Sequence, residues 1–287
     1  MNLSAETWHT LAGRPPPHRA PLGGDRGMSA ALWRVSWPDG HTAVLKISRK
    51  RDRGAGELRF LRHAPPSPHL PRLIGAVEEA DRVILLLEDL SDATPGDILV
   101  GVPASVAVET FAALGTIHAL SVPDWSHMPP RWHPGTIDHV PAFTARHPHP
   151  FADRLLDLPA QVARHQSILA ALPVGVLHSD CHLDNWMFRE VPVLIDWETA
   201  RVGPPIIDAV RLLMEGVSTS VRREAGGTLL AAWGRDTSGL AAAVWYSLNA
   251  MIPHHATIDL EALTPRMQAV HERCAVQALD LAADLGL

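Results

Sequence analysis

The stretch HSDCHLDNWMF, His178 to Phe188, gathers two histidines, two aspartates, an asparagine and a cysteine into one short run. Three chemistries compete for it: a metal knot, a cysteine nucleophile, or carboxylates and an amide arranged around a hard cation. An apolar, strand-like approach (VGVL) leads into His178 and Asp180, and a second one (VPVLI) leads into Asp196. The residues between read as a hairpin, so Asp180, Asn185 and Asp196 fall on the two loops that flank it. Oxygen ligands of this kind suit Mg²⁺, which keeps several waters and bridges phosphates.

Phosphoryl transfer from ATP needs an aspartate that orients and accepts from the attacking hydroxyl, an Asn and an Asp that hold Mg²⁺, and a strand lysine held by a helical glutamate. The central run supplies the first three in order. Lys46 in AVLKIS and Glu57 in GELRFL supply the other two. The competing readings explain less. A nucleophilic Cys181 accounts for one residue and leaves its neighbours idle. The histidines of SHMPPRWHPGTIDHV and ARHPHP repeat no established zinc spacing and are joined by no cysteine.

The elements that must position these residues can be read along the chain. LGGDRGMSAALWRVSW and HTAVLKIS are strand-like runs joined by PDG, which suits a hairpin. Gly24 lies in the glycine-bearing turn before the first of them, where the backbone could approach the ATP phosphates closely. DRGAGELRFLRHA has helical spacing and is ended by APPSP. RVILLLEDL reads as a buried strand followed by an acidic connector, which puts a lobe boundary at about residues 88–92. An N-terminal nucleotide-binding lobe, 1–90, and a C-terminal catalytic and substrate-binding lobe, 91–287, are therefore expected.

Beyond the boundary, helical patterns dominate, from SVAVETFAALGTIHALSV to TPRMQAVHERCAVQALDLAADL. They are interrupted by a Pro-, His- and Trp-rich insertion after the first helix. Trp245, Tyr246, His254 and His255 sit on a late helical segment and could line an acceptor pocket, although core packing accounts for Trp245 equally well.

Composition narrows the classes further. The 287 residues are 46% hydrophobic and 20% charged, as in a folded globular protein, and the formal charge of −6 lacks the clustered basic excess of a nucleic-acid binder. With only two cysteines, Cys181 and Cys274, no disulfide framework is expected, and a reducing cytoplasm is the expected compartment. No export signal and no run of roughly 20 apolar residues is found. The expected partner is a small-molecule hydroxyl acceptor, with no nucleic acid and no membrane, and with the chain acting as a monomer or homodimer.

The ordered set His178-Ser179-Asp180, Asn185, Ile195-Asp196-Trp197-Glu198, Gly203-Pro204 and Asp208 resembles the aminoglycoside phosphotransferase and choline kinase superfamily from about Leu22 to Leu213. The resemblance implies a bilobal, protein-kinase-like α+β fold, with a small β-rich N-terminal lobe and a larger, mainly helical C-terminal lobe. It implies ATP and Mg²⁺ as cofactors, Asp180 as the catalytic aspartate, Asn185 and Asp196 as metal ligands, Lys46 as the phosphate-contacting lysine and Glu57 as its partner. His178 and Asp208 would brace the loops, and backbone groups from Glu88 to Leu90 would meet the adenine. LEDLS is closer to the ecdysteroid-kinase-like and choline-kinase-like branches. The acceptor implied is an aminoglycoside or other antibiotic, an amino alcohol such as choline, or a sterol-like alcohol. A catalytically silent nucleotide-binding or scaffold protein of the same fold is the alternative. Three features depart from the family pattern: Ser179 where glycine is common, Pro205 where aspartate is common, and a short gap from Lys46 to Glu57.

Overall fold

Strand alternation decides where the lysine of AVLKIS points. The computed structural model describes residues 3–22, 30–121 and 137–287. In it, β1 (His18–Pro21), β2 (Ala30–Ser36), β3 (Thr42–Ser48), β4 (Leu73–Glu78) and β5 (Val83–Glu88) form one antiparallel sheet in the order β1-β2-β3-β5-β4. On β3, Ala43, Leu45 and Ile47 pack with Trp8 and Leu11 of α1 (Ala5–Ala12). With a period of two, Val44, Lys46 and Ser48 must face the other side, where α2 (Arg51–His63) lies. Ala55 and Leu58 of α2 pack there with Val83 and Leu85. The helix comes close because Gly54 has no side chain; a Cβ there would stand 2.8 Å from the Cβ atoms of Ser48 and Val83.

The larger lobe is built from α3 (Ala104–His118), α4 (Val140–Arg146), α5 (Leu158–Ala171), α6 (Ile206–Glu215), α7 (Thr219–Trp233), α8 (Leu240–Thr257) and α9 (Pro265–Asp284). They share one apolar core that includes Phe111, Leu114, Trp186, Trp245 and Leu279. The fold is therefore a bilobal, kinase-like α+β fold. Short strands carry the polar loops across this lobe. β6 (Thr94–Pro95), β8 (Trp186–Phe188) and β9 (Pro192–Leu194) form one sheet, and β7 (Gly175–Leu177) pairs with β10 (Arg201–Gly203). Asn185 immediately precedes β8, and Asp196 follows β9 by two residues, so the hairpin presents both at one end.

Several elements escape the sequence patterns. α1 and β4 were not marked by them, and β1 runs through a Pro-rich segment because it sits at the sheet edge, where a missing donor is tolerated. α8 continues through Pro253 to Thr257, so it carries His254 and His255 as well as Trp245 and Tyr246. Part of the Pro- and His-rich insertion is α4; residues 122–136 lie outside the described residues.

Candidate active site

Lys46 sits where the two lobes meet. Its Nζ is 2.7 Å from Oε2 of Glu57 and 2.5 Å from Oδ1 of Asp196, so one ammonium joins the sheet, α2 and the loop after β9. Burial works against this charge, but the two carboxylates outweigh it and hold Lys46 protonated above its ordinary range. The gap from Lys46 to Glu57 suffices because α2 begins only three residues after β3 and crosses directly over it. Glu57 also accepts from the backbone N–H of Trp197 at 3.3 Å, and Phe60 stacks on the Trp197 ring at 3.9 Å. α2 is thereby docked on the loop that carries Asp196.

Asp208, at the start of α6, organises the opposite loop. Its carboxylate is fully buried and accepts from the N–H of His178 (2.6 Å), the N–H of Ser179 (2.9 Å) and Nε2 of His118 (3.2 Å). His118 is oriented in turn by Trp233, whose Nε1 donates to Nδ1 at 3.0 Å, which leaves the proton on Nε2. Burial alone would raise the Asp208 carboxyl; the His118 hydrogen bond and the other contacts overcome it and lower it. His178 braces a second point: its Nε2 donates to the carbonyl of Ile195 at 2.8 Å. Burial lowers its basicity, which keeps the ring neutral in that role.

The turn so held contains Ser179 at φ +72°, a conformation that favours glycine. This is the physical reason glycine suits that position, and serine here carries strain together with a buried Oγ that lacks a partner among the described residues. Ser179→Gly is expected to raise stability by about 0.5–1 kcal/mol, the relief of strain less the added chain entropy. A shift of the denaturant midpoint checks this, and a lower midpoint would contradict it. Asp196 also has a positive φ, +65°.

Asp180 emerges from this turn with its side chain 40% exposed. His182 Nε2 lies 3.3 Å from Oδ2, and Arg211 Nη2 lies 3.6 Å from Oδ1. Burial pushes its carboxyl up, but His182 and Arg211 prevail and hold it well below the usual carboxylate range. Arg211 is itself anchored by Glu215, 2.9 Å from its Nε. Asn185 donates from Nδ2 to the carbonyl of Asp180 at 2.8 Å, and Ile195 N–H donates to the Asn185 carbonyl at 2.9 Å. Asp180 and Asn185 are thus tied to each other and to Ile195, the residue before Asp196.

Other expected residues fall differently. Glu88 has its N–H bonded to the Arg72 carbonyl and its carboxylate 3.0 Å from Arg189, while Leu90 is buried beside it. Gly24 lies outside the described residues. Trp245 is core, packed against Phe151, whereas Tyr246, His254 and His255 line a cavity of about 370 Å³ that also contains Asp180. Cys181 is buried and its thiol is pushed up by that burial, which removes it as a nucleophile. Among the described residues no group of three or more His, Cys, Asp or Glu side chains could hold a metal. The sequence reading missed Arg201, Arg211 and Glu215; each stands near a motif residue, but nothing in its spacing marks it.

The family model of the phosphotransferase enzyme family matches residues 23–246. Solved structures share the fold at low identity. The spectinomycin phosphotransferase APH(9)-Ia, solved with ADP and spectinomycin, is 13% identical with a TM-score of 0.64, over 98% of this chain and 97% of its own. A choline/ethanolamine kinase family protein from Mesorhizobium loti is 18% identical with a TM-score of 0.61, over 98% and 99%. A macrolide 2'-phosphotransferase from Brachybacterium faecium is 15% identical with a TM-score of 0.53, over 96% and 97%. No curated protein matches the chain by sequence. No helix among the described residues is long and apolar enough to cross a membrane. With the family match spanning most of its length and the kinase-like lobes in place around Lys46, Asp180 and Asp196, the chain belongs to the phosphotransferase enzyme family.

Proposed function

We propose that the chain transfers the γ-phosphate of ATP to a hydroxyl of a small molecule, using Mg²⁺ and Asp180. The observation that carries this reading is the relay Glu57–Lys46–Asp196 across the lobes, with Asp180 turned instead toward a cavity that none of those three residues lines. The relay faces the nucleotide and the cavity faces the acceptor. Lys46 neutralises phosphate charge, and Glu57 keeps it aimed. Asp180 stays ionised beside Arg211 and His182, and so can orient an acceptor hydroxyl and take its proton.

The metal donors also fit. Asn185 spends its Nδ2 on the Asp180 carbonyl, which leaves Oδ1 as a free acceptor, and Asp196 offers a carboxylate that is 38% exposed. One amide oxygen and one carboxylate suit a cation that keeps most of its water. Bound Mg²⁺ would supply neutralisation of charge on the phosphates. The nucleotide lies between lobes 1–90 and 91–287, with the hinge at about 88–92. There the Glu88 N–H is already engaged, and the N–H of Leu90 has no partner among the described residues, so Leu90 offers the donor to adenine.

Labelled ATP incubated with the protein and a panel of hydroxylated amines, antibiotics, sterols and sugar acids tests this. Transfer should appear with Mg²⁺ and vanish with chelator. Binding of ATP that is indifferent to Mg²⁺, with no transfer to any acceptor, would instead mark a silent nucleotide-binding protein.

A further inference from the structure

We infer that the acceptor is a hydroxy acid of roughly monosaccharide size, with its carboxylate received by Arg201 while its hydroxyl meets Asp180. This deepens the phosphotransfer reading above and rests on it.

The cavity beside Asp180 contains three arginines, Arg53, Arg201 and Arg211. Two are already committed within the protein. Arg53 Nη1 is 2.8 Å from Glu198, and Arg211 lies between Glu215 and Asp180. Arg201 has no ion-pair partner among the described residues, and its Nε is buried without a hydrogen-bond partner. A buried guanidinium nitrogen without an acceptor is costly, and a ligand that supplies one recovers that cost on binding.

The position of Arg201 follows from strand register. On β10 it stands opposite Leu177, the residue before His178, which brings it to the same cavity wall as the Asp180 turn. Lys46, Asn185 and Asp196 do not line this cavity, so Arg201 stands on the acceptor side of Asp180 and away from the phosphate relay.

The carboxylates of the wall argue in the same direction. Among the described residues, Asp180 and Asp208 are the carboxylates that line it. Asp208 is enclosed and spent on three donors, and Asp180 is the group facing the hydroxyl. Among the described residues no lining carboxylate is left to pair with an ammonium group. Ser247 and His255 also line the wall, and their Oγ and Nδ1 are buried without hydrogen-bond partners among the described residues, which suits the further hydroxyls of a sugar acid. A planar guanidinium meets a carboxylate through paired hydrogen bonds, which a neutral or cationic analogue cannot form. The transfer itself balances: the acceptor oxygen bonds to the γ-phosphorus, the bond to the β–γ bridging oxygen breaks, the proton passes to Asp180, and ADP leaves.

The experiment compares matched probes with Mg·ATP: gluconate against glucose and glucosamine, and glycerate against glycerol, with choline and kanamycin as cationic acceptors. At least one carboxylate probe should be phosphorylated with kcat/KM about tenfold or more above its neutral and cationic counterparts. Arg201→Ala should raise the KM for that probe about 10- to 100-fold and leave the KM for ATP within about twofold, with Arg201→Lys between. A cationic acceptor used as well or better overturns the inference. So does an Arg201→Ala effect that falls on ATP, since the arginine would then serve the phosphates. If a fluorescent ATP analogue binds with Mg²⁺ but no carboxylate probe is phosphorylated, the inference fails while the kinase reading survives. If Mg²⁺-dependent nucleotide binding is itself missing, both fail.

Discussion

Asp180→Asn is expected to lower the rate of phosphate transfer about 10²- to 10⁴-fold, the usual contribution of a positioned general base. The substitution keeps the size of the side chain and its reach toward the hydroxyl, but removes the capacity to take a proton. Little stability should go with it, because the Asp180 side chain is 40% exposed and its contacts with His182 and Arg211 are long, at 3.3 and 3.6 Å. The same variant should still bind Mg·ATP, since Lys46, Asn185 and Asp196 are unchanged. A single-turnover measurement with saturating ATP decides the matter: a rate within threefold or so of the parent would place the base elsewhere. Nucleotide affinity measured beside it separates a lost base from a disturbed site.

Asp208→Ala should be the most damaging single change to the fold near the site, costing about 3–5 kcal/mol. The carboxylate is fully buried and serves the N–H groups of His178 and Ser179 and the imidazole of His118 at once, so its removal leaves three donors without their acceptor. Activity should fall with stability, because the turn at Ser179 has a strained φ and depends on those hydrogen bonds to hold Asp180 in place. Asp208→Asn, which retains one acceptor oxygen, should lie between. Denaturant titration reads the first effect, and the rate at a temperature where the variant remains folded reads the second. A variant of parental stability would mean that water or a rearranged loop replaces the carboxylate.

The two substitutions separate roles that look alike in the sequence. Asp180 and Asp208 are both aspartates beside apolar segments, yet the side chain of one is 40% exposed and the other is fully buried. Burial makes the difference, and burial depends on how α6, α3 and α7 come together around the loop.

The residues of HSDCHLDN and IDWE could be read from the chain alone because a hairpin is a local object. A short turn fixes which residues stand at its two ends, so spacing within that run already implies that Asp180, Asn185 and Asp196 are neighbours. Strand alternation likewise separated Lys46 from Leu45 and Ile47, and helical spacing marked α2, α3 and the C-terminal helices. The weakly patterned α1, the edge strand β1 in its Pro-rich segment, and β4 escaped, since their place is set by the sheet they join. Only the tertiary structure decided that Glu57 reaches Lys46, that Arg211 and Glu215 stand behind Asp180, and that the buried Nε of Arg201 has no hydrogen-bond partner among the described residues. Those contacts join residues far apart in sequence, through side chains whose directions depend on how whole elements pack, and no local periodicity encodes that.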